Sequence, residues 1–203
     1  MPIHRAQDWG EAGGLASSGV LVYNDAAANE VVQKARRANQ PLPELGLLGG
    51  DLYRTLGGGA QQRNLHSPKA WRFKIDVGAV LLDGRLFWFC SHLLARRGTW
   101  SGEVLVAMNA AWLNKLNLGP KAHPGDGLLD ISLGNLAVNE RLKARRRART
   151  GDHLPHPDIS YRRTNAMQVE LAQPTPVFLD GISVGQASNI SLRVEPATLT
   201  IVV

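Results

Sequence analysis

The chain has 203 residues, 44% of them hydrophobic, with a mean hydropathy of −0.15. This is the composition of a globular protein with a core of its own; it excludes a disordered or fibrous chain. The net charge of +6 and pI of 9.9 point to an anionic partner: nucleotide phosphate, nucleic acid or a membrane surface. The single cysteine, Cys90, cannot form an internal disulfide. It lies in the apolar run "RLFWFC", which predicts an inert core thiol in a reducing, cytoplasmic compartment. No apolar run reaches the roughly 18 residues that span a bilayer, and "MPIHRAQDWGEAGG" has no apolar leader segment.

In chain order, "SGVLVYND" (18–25) predicts a short strand ending in a polar turn. "AAANEVVQKARRANQ" (26–40) has apolar positions at helical spacing, with Asn24 or Asp25 as N-cap and "QPLP" as terminator. "ELGLLGGDLYRTLGGG" (44–59) predicts strand, glycine turn and short helix. Residues 18–59 thus read as a β-α-β-α unit, the builder of a parallel sheet. "QRNLHSPKA" (62–70) is the expected junction.

From residue 71 the text becomes a succession of short strand-like runs. "LLDGRLFWF" and "FLDGISVG" each set Asp-Gly between apolar runs, a strong hairpin signal. Only the segment from 133 to 149 reads as helical. The expected class is α+β: a partial α/β N-terminal unit (1–65) followed by an antiparallel β-sandwich with one helix (66–203).

The helical segment carries a basic run: Arg141, Lys143, Arg145, Arg146, Arg147 and Arg149. One reading is a solvated helix face; the other is a patch for anionic lipid headgroups. No aromatic residues interleave with the run, which argues against single-stranded nucleic acid. His123, His153 and His156 sit in Pro-flanked turns, and no dedicated metal site is read from them. "GGDLYRTLGGG" lacks the Lys-Ser or Lys-Thr of a Walker loop, and no nucleophile-elbow motif accompanies any serine.

The chain resembles the back part of lipid kinases of the diacylglycerol kinase and sphingoid-base kinase type. "NLGPKAHPGDGLLDI", "VAMNAAW" and "GDHLPHPDISYRRTNAMQVELAQPTPVFLDG" resemble that family's β-sandwich domain. "YNDAAANE" (23–30) stands where the family has Gly-Gly-Asp-Gly-Thr-Leu-Asn-Glu, keeping Asp25, Asn29 and Glu30. "LLGGDLYR" stands at the second phosphate loop and keeps Asp51 and Arg54. The resemblance implies Asp126 as general base for transfer to a lipid hydroxyl, with Asp25, Asn29, Glu30, Asp51 and Arg54 as remnants of a nucleotide and Mg²⁺ shell. ATP and Mg²⁺ are the implied cofactors if kinase activity is retained.

The departures are physical. Tyr23, Asn24 and Ala26 replace glycines that would let backbone N–H groups approach phosphate, and Ala27 and Leu48 replace threonines. Asp180-Gly181-Ile182 replaces the family's Asp-Gly-Glu. The family also places further β-α units ahead of the Val20 strand. The alternative to kinase activity is therefore a non-catalytic relative that binds anionic lipid, nucleotide or a partner, peripheral at a membrane. A homo-oligomer or a complementing subunit is the expected assembly.

Overall fold

A computed structural model describes residues 9–59 and 64–203. Strand β1 (Gly10–Ala12) precedes β2 (Val20–Val22), helix α1 (Asp25–Arg37), β3 (Leu45–Leu47) and α2 (Asp51–Thr55). The remaining strands are β4 (Trp71–Leu82), β5 (Arg85–Phe89), β6 (His92–Ala95), β7 (Val104–Met108), β8 (Trp112–Leu113), β9 (Leu116–Asn117) and β10 (Leu129–Gly134). Helix α3 (Val138–Arg147) follows, then β11 (Ile159–Thr164), β12 (Ala166–Leu179) and β13 (Ile182–Val202). No described helix is long and apolar enough to cross a membrane.

Asn24 caps α1: its backbone is extended and its side-chain oxygen accepts the Ala27 N–H at 2.8 Å. Asp25 in the first turn and Lys34, Arg36 and Arg37 in the last complement the helix dipole. Ala28, Val32 and Ala35 form the buried stripe, with Asp25 and Asn29 buried among them. Strands β2 and β3 pair in parallel on either side of α1 in sequence, as the β-α-β-α reading requires.

Both Asp-Gly pairs make two-residue hairpins. Asp83-Gly84 has φ of 46° and 84°, and Asp180-Gly181 has 50° and 89°, the left-handed pair of a type I′ turn. They join β4 to β5 and β12 to β13, both antiparallel.

The 21-residue strand β13 belongs to both units. Its first half pairs with β12 and its second half with β4; its last residues also pair in parallel with β3, Ile201 opposite Leu45 and Val202 opposite Gly46. The register slips between Glu195 and Leu199, where Ala197 takes a φ of 50°. The main path runs β1-β4-β13-β12-β6-β7-β10-β11 in one mostly antiparallel sheet. Phe89, Leu93, Leu105, Leu129, Leu179 and Ile190 pack into one core, so the sheet closes on itself as a sandwich. A second core joins Val22, Val32, Leu47 and Leu52 to Ile75, Val77, Leu199 and Ile201. Cys90 lies inside it, fully buried, as expected of a core thiol.

The structure adds what the sequence reading lacked: β1 against the start of β4, and the shared strand β13. Part of the expected junction, Gln62 and Arg63, lies outside the described residues, as does the start of the N-terminal segment.

Ile201 is fully buried between the two units. Ile201→Ala is expected to lower stability in urea by about 2–5 kcal/mol. Both units are expected to unfold in one transition, read by tryptophan fluorescence and far-UV circular dichroism together. Two separated transitions would show that β13 does not couple them.

Candidate functional site

The seam between α1, α2 and the sandwich holds most of the buried charge. Asp25 is 5% exposed. Its carboxylate accepts the first two amides of α2, Asp51 N–H at 2.8 Å and Leu52 N–H at 3.2 Å. Gly50, at φ 103°, lets the chain wrap this carboxylate; a Cβ there would lie 2.4 Å from Asp25 Oδ1. Asp51 Oδ1 accepts the Asn114 N–H at 2.8 Å. Arg54 lies 3.4 Å over the Trp112 ring and donates to the Asn114 carbonyl at 2.9 Å. Thr55 Oγ1 accepts the Ala111 N–H at 3.1 Å. These bonds dock α2 onto residues 111–114.

Behind Asp25 lies Asp180, at the corner of the β12–β13 hairpin and 3% exposed. It accepts the N–H groups of Cys90, Ser91 and His92 at 2.7–2.8 Å, and Asn29 Nδ2 donates to it at 2.9 Å. Asn29 spends its other N–H on the Trp88 carbonyl at 2.8 Å. Burial pushes Asp180 up to about 6 against the pull of these donors. Burial, then the nearby Asp180 charge, raises Asp25 to about 6 as well. Burial depresses His92, so its imidazole is neutral at pH 7.

Asp126 lies elsewhere in this network. One of its oxygens accepts the Leu128 N–H at 3.0 Å, an Asx turn, and the other pairs with Arg163. Arg163 forks, its Nε donating to the buried Asp130 at 3.0 Å. The position that the resemblance gives to the base is thus paired with a guanidinium. Its link to the seam is indirect. The neighbouring Gly127 N–H donates to Asp76 at 2.6 Å, and Asn109 Nδ2 bridges the Asp76 and Cys90 carbonyls at 2.8 and 2.7 Å. Asp76 also accepts the Ala197 N–H at 2.8 Å, pinning the β13 irregularity.

Of the residues read from sequence, Asp25, Asn29 and Asp51 come together with the α2 dock of Arg54, while Glu30 is exposed on α1. His92, Asp180, Asp76 and Asn109 were missed as members. Asp180 was legible only as a turn residue and His92 only as part of an apolar run.

The basic run divides. Arg141, Arg145 and Arg149, spaced four apart, line a cavity of about 570 Å³ between α3 and the sandwich; Lys143, Arg146 and Arg147 do not. Val104, Val106, Leu113, Leu116 and Leu118 supply apolar walls. Arg141 donates to the Thr99 carbonyl at 3.0 Å. Lys143 pairs with Glu140 at 2.8 Å.

The residues present do not fit nucleotide phosphate or Mg²⁺. The amides that open α2 already hold the Asp25 carboxylate, Asn24 takes the Ala27 N–H of α1, and the Gly50 space is filled. The adjoining donors include an imidazole, where Mg²⁺ prefers oxygen alone.

Residues 60–203 match the model of the YegS C-terminal NAD kinase beta sandwich-like domain. The fold is similar to that of a diacylglycerol kinase from Bacillus anthracis str. Sterne, at 16% identity and a TM-score of 0.64, over 91% of this chain and 75% of that one. Two structures provisionally named as diacylglycerol kinases from the same organism align at 14% identity, with TM-scores of 0.68 and 0.67 over 91% of this chain and 77% of each. Identity this low carries the fold alone. A search of curated proteins found no match.

Asp180 gives this site a pH signature. Its folded value of about 6 exceeds its unfolded value near 4, so its ionisation costs stability above about pH 6 and the cost shrinks as pH falls. Buried His92 and His153, both depressed, act in the opposite sense, so the comparison must isolate Asp180. From about pH 7.5 to about pH 5, wild type is expected to gain on the order of 1 kcal/mol relative to Asp180→Asn. Denaturant titrations of both proteins check this; parallel pH curves would refute the raised value.

Proposed function

The chain belongs to the YegS C-terminal NAD kinase beta sandwich-like domain family, and from that premise we propose that it binds an anionic lipid beneath α3 and transfers no phosphoryl group. The observation that carries the reading is the cavity between α3 and the sandwich. Its volume of about 570 Å³ suits a small ligand or part of an acyl chain. Its apolar walls suit hydrocarbon, and Arg96, Arg141, Arg145 and Arg149 among its lining suit an anionic headgroup. The Nε atoms of Arg96 and Arg141 are buried without a hydrogen-bond partner, which favours a ligand that accepts from them.

Helix α3 itself buries no residue fully. Val138 and Leu142 on it are 65% and 63% exposed, which favours contact with a bilayer surface. The proposed location is therefore peripheral, at an anionic membrane.

The absence of transfer is argued from the seam. Phosphoryl transfer needs donors aimed at the phosphates and a free base near the acceptor. The α2 amides are engaged by Asp25, and Asp126 is engaged by Arg163. A second reading, ATP-dependent phosphorylation of a lipid hydroxyl, is favoured by one observation: the fold is shared with a protein named as a diacylglycerol kinase.

Cosedimentation with phosphatidylcholine vesicles, with and without phosphatidylglycerol, tests the first reading. Binding is expected only with the anionic lipid. The triple variant Arg141→Glu, Arg145→Glu, Arg149→Glu is expected to lose on the order of a hundredfold in affinity, at about 1 kcal/mol per residue. Equal binding by the variant overturns the cavity assignment. A parallel incubation with radiolabelled ATP and diacylglycerol vesicles is expected to yield no labelled lipid; label would establish the second reading.

A further inference from the structure

Asp25, Asp51 and the His92 imidazole converge at the seam without a cation among them. One ligand atom each of Asp25, Asp51 and His92 lies within 4.8 Å of the others. Asp180 stands directly behind, its carboxylate accepting the His92 backbone N–H at 2.8 Å. Among the described residues, no salt bridge reaches Asp25, Asp51 or Asp180. The positive neighbour that sequence would nominate, Arg54, is committed to Trp112 and the Asn114 carbonyl.

The independent observation is His92 itself. It is 3% exposed, and its Nε2 is buried with no hydrogen-bond partner. A buried ring nitrogen left without a partner forfeits its hydration with nothing in return. Its other nitrogen, Nδ1, lies 3.2 Å from Ser91 Oγ, the kind of outer contact that orients a ligating imidazole. Asp25 and Asp51 each keep lone pairs beyond the backbone amides they accept.

We propose that Asp25, Asp51 and His92 form a binding site for a divalent first-row transition ion, with Zn²⁺ as the fitting probe. Imidazole selects zinc-like ions, whereas Mg²⁺ and Ca²⁺ prefer oxygen ligands only. The ligand atoms must draw together for ligand distances of about 2.1 Å; Asp51, half-buried on the solvent side, supplies that movement. The ion ties α1, α2 and β6 together across the seam. A fourth position is left to water. The site is independent of the lipid reading, because none of its three residues lines the cavity under α3.

The test is calorimetric titration of the full chain, stripped with chelator, against Zn²⁺ and separately Mg²⁺. One equivalent of Zn²⁺ is expected to bind, with no matching Mg²⁺ signal and a rise in wild-type melting temperature with Zn²⁺. Co²⁺ is expected to develop visible d–d bands that Zn²⁺ displaces. His92→Gln is expected to lose Zn²⁺ affinity on the order of a hundredfold and to lose the Co²⁺ bands. Asp51→Asn retains an acceptor for Asn114 and serves where the histidine variant does not fold. It is expected to lose at least about tenfold, as does Ser91→Ala through the imidazole's orientation. Absence of Zn²⁺ binding in wild type overturns the proposal. So does undiminished, wild-type Zn²⁺ affinity in folded His92→Gln, or in Asp51→Asn, since the ion would then sit at other histidines.

Discussion

The carboxylate of Asp25 holds the two amides that open α2, and the arrangement of the seam follows from it. A buried anion needs donors, and these two N–H groups are donors that the helix itself cannot satisfy. Gly50 makes the approach possible because no side chain stands in the way. The same contact that completes α2 removes the backbone groups that would otherwise meet a phosphate. The protein thus keeps an acidic residue in register with a nucleotide loop while using it as an internal ligand. Tyr23, Asn24 and Ala26 in place of glycines fit that use, since nothing has to approach the backbone there.

Buried acids recur across the seam with the same solution. Asp180 takes three consecutive amides of residues 90–92, and Asp76 takes the amides of Gly127 and Ala197. Each carboxylate joins segments far apart in sequence, and each costs desolvation that its donors offset. The shared strand β13 runs past two of these points: Asp180 sits at its hairpin and Asp76 at its irregularity. Its partners change from β12 to β3 along its length, which fuses the partial α/β unit to the sandwich. Asp126, Arg163 and Asp130 form a separate ion-paired edge, coupled to the seam through Gly127 and Asp76.

Local patterns carried far into the fold. The two Asp-Gly hairpins, the Asn24-capped α1 and the strand-turn-helix at residues 45–55 were legible because turn chemistry and periodicity act within a few residues. The succession of short strand-like runs from residue 71 pointed to the sandwich, and the family likeness agreed with it. What stayed hidden depends on contacts distant in sequence. Asp180 reads as an ordinary turn residue; its burial comes from residues 29 and 90–92 folding over it. Asp126 reads as a base on a turn, and its pairing with Arg163 spans 37 residues. His92 stands among apolar neighbours, and nothing in "FCSHLL" tells a packed histidine from a ligand. The basic run reads as a uniform face, whereas packing against β7–β10 turns only Arg141, Arg145 and Arg149 into the cavity lining.

On the proposed reading the seam is closed to phosphate and the cavity beneath α3 takes an amphiphile. The central claim is that Asp25, and not a nucleotide, is the anion at the α2 amides. Amide proton and nitrogen chemical shifts of Asp51 and Leu52, followed through a pH titration of the metal-free protein and then against ATP, test it directly. The account predicts that both amides shift with a shared midpoint near pH 6, as Asp25 takes up its proton, and stay unmoved by ATP at neutral pH. Amides that move with ATP, or that show no inflection near that pH, would contradict it.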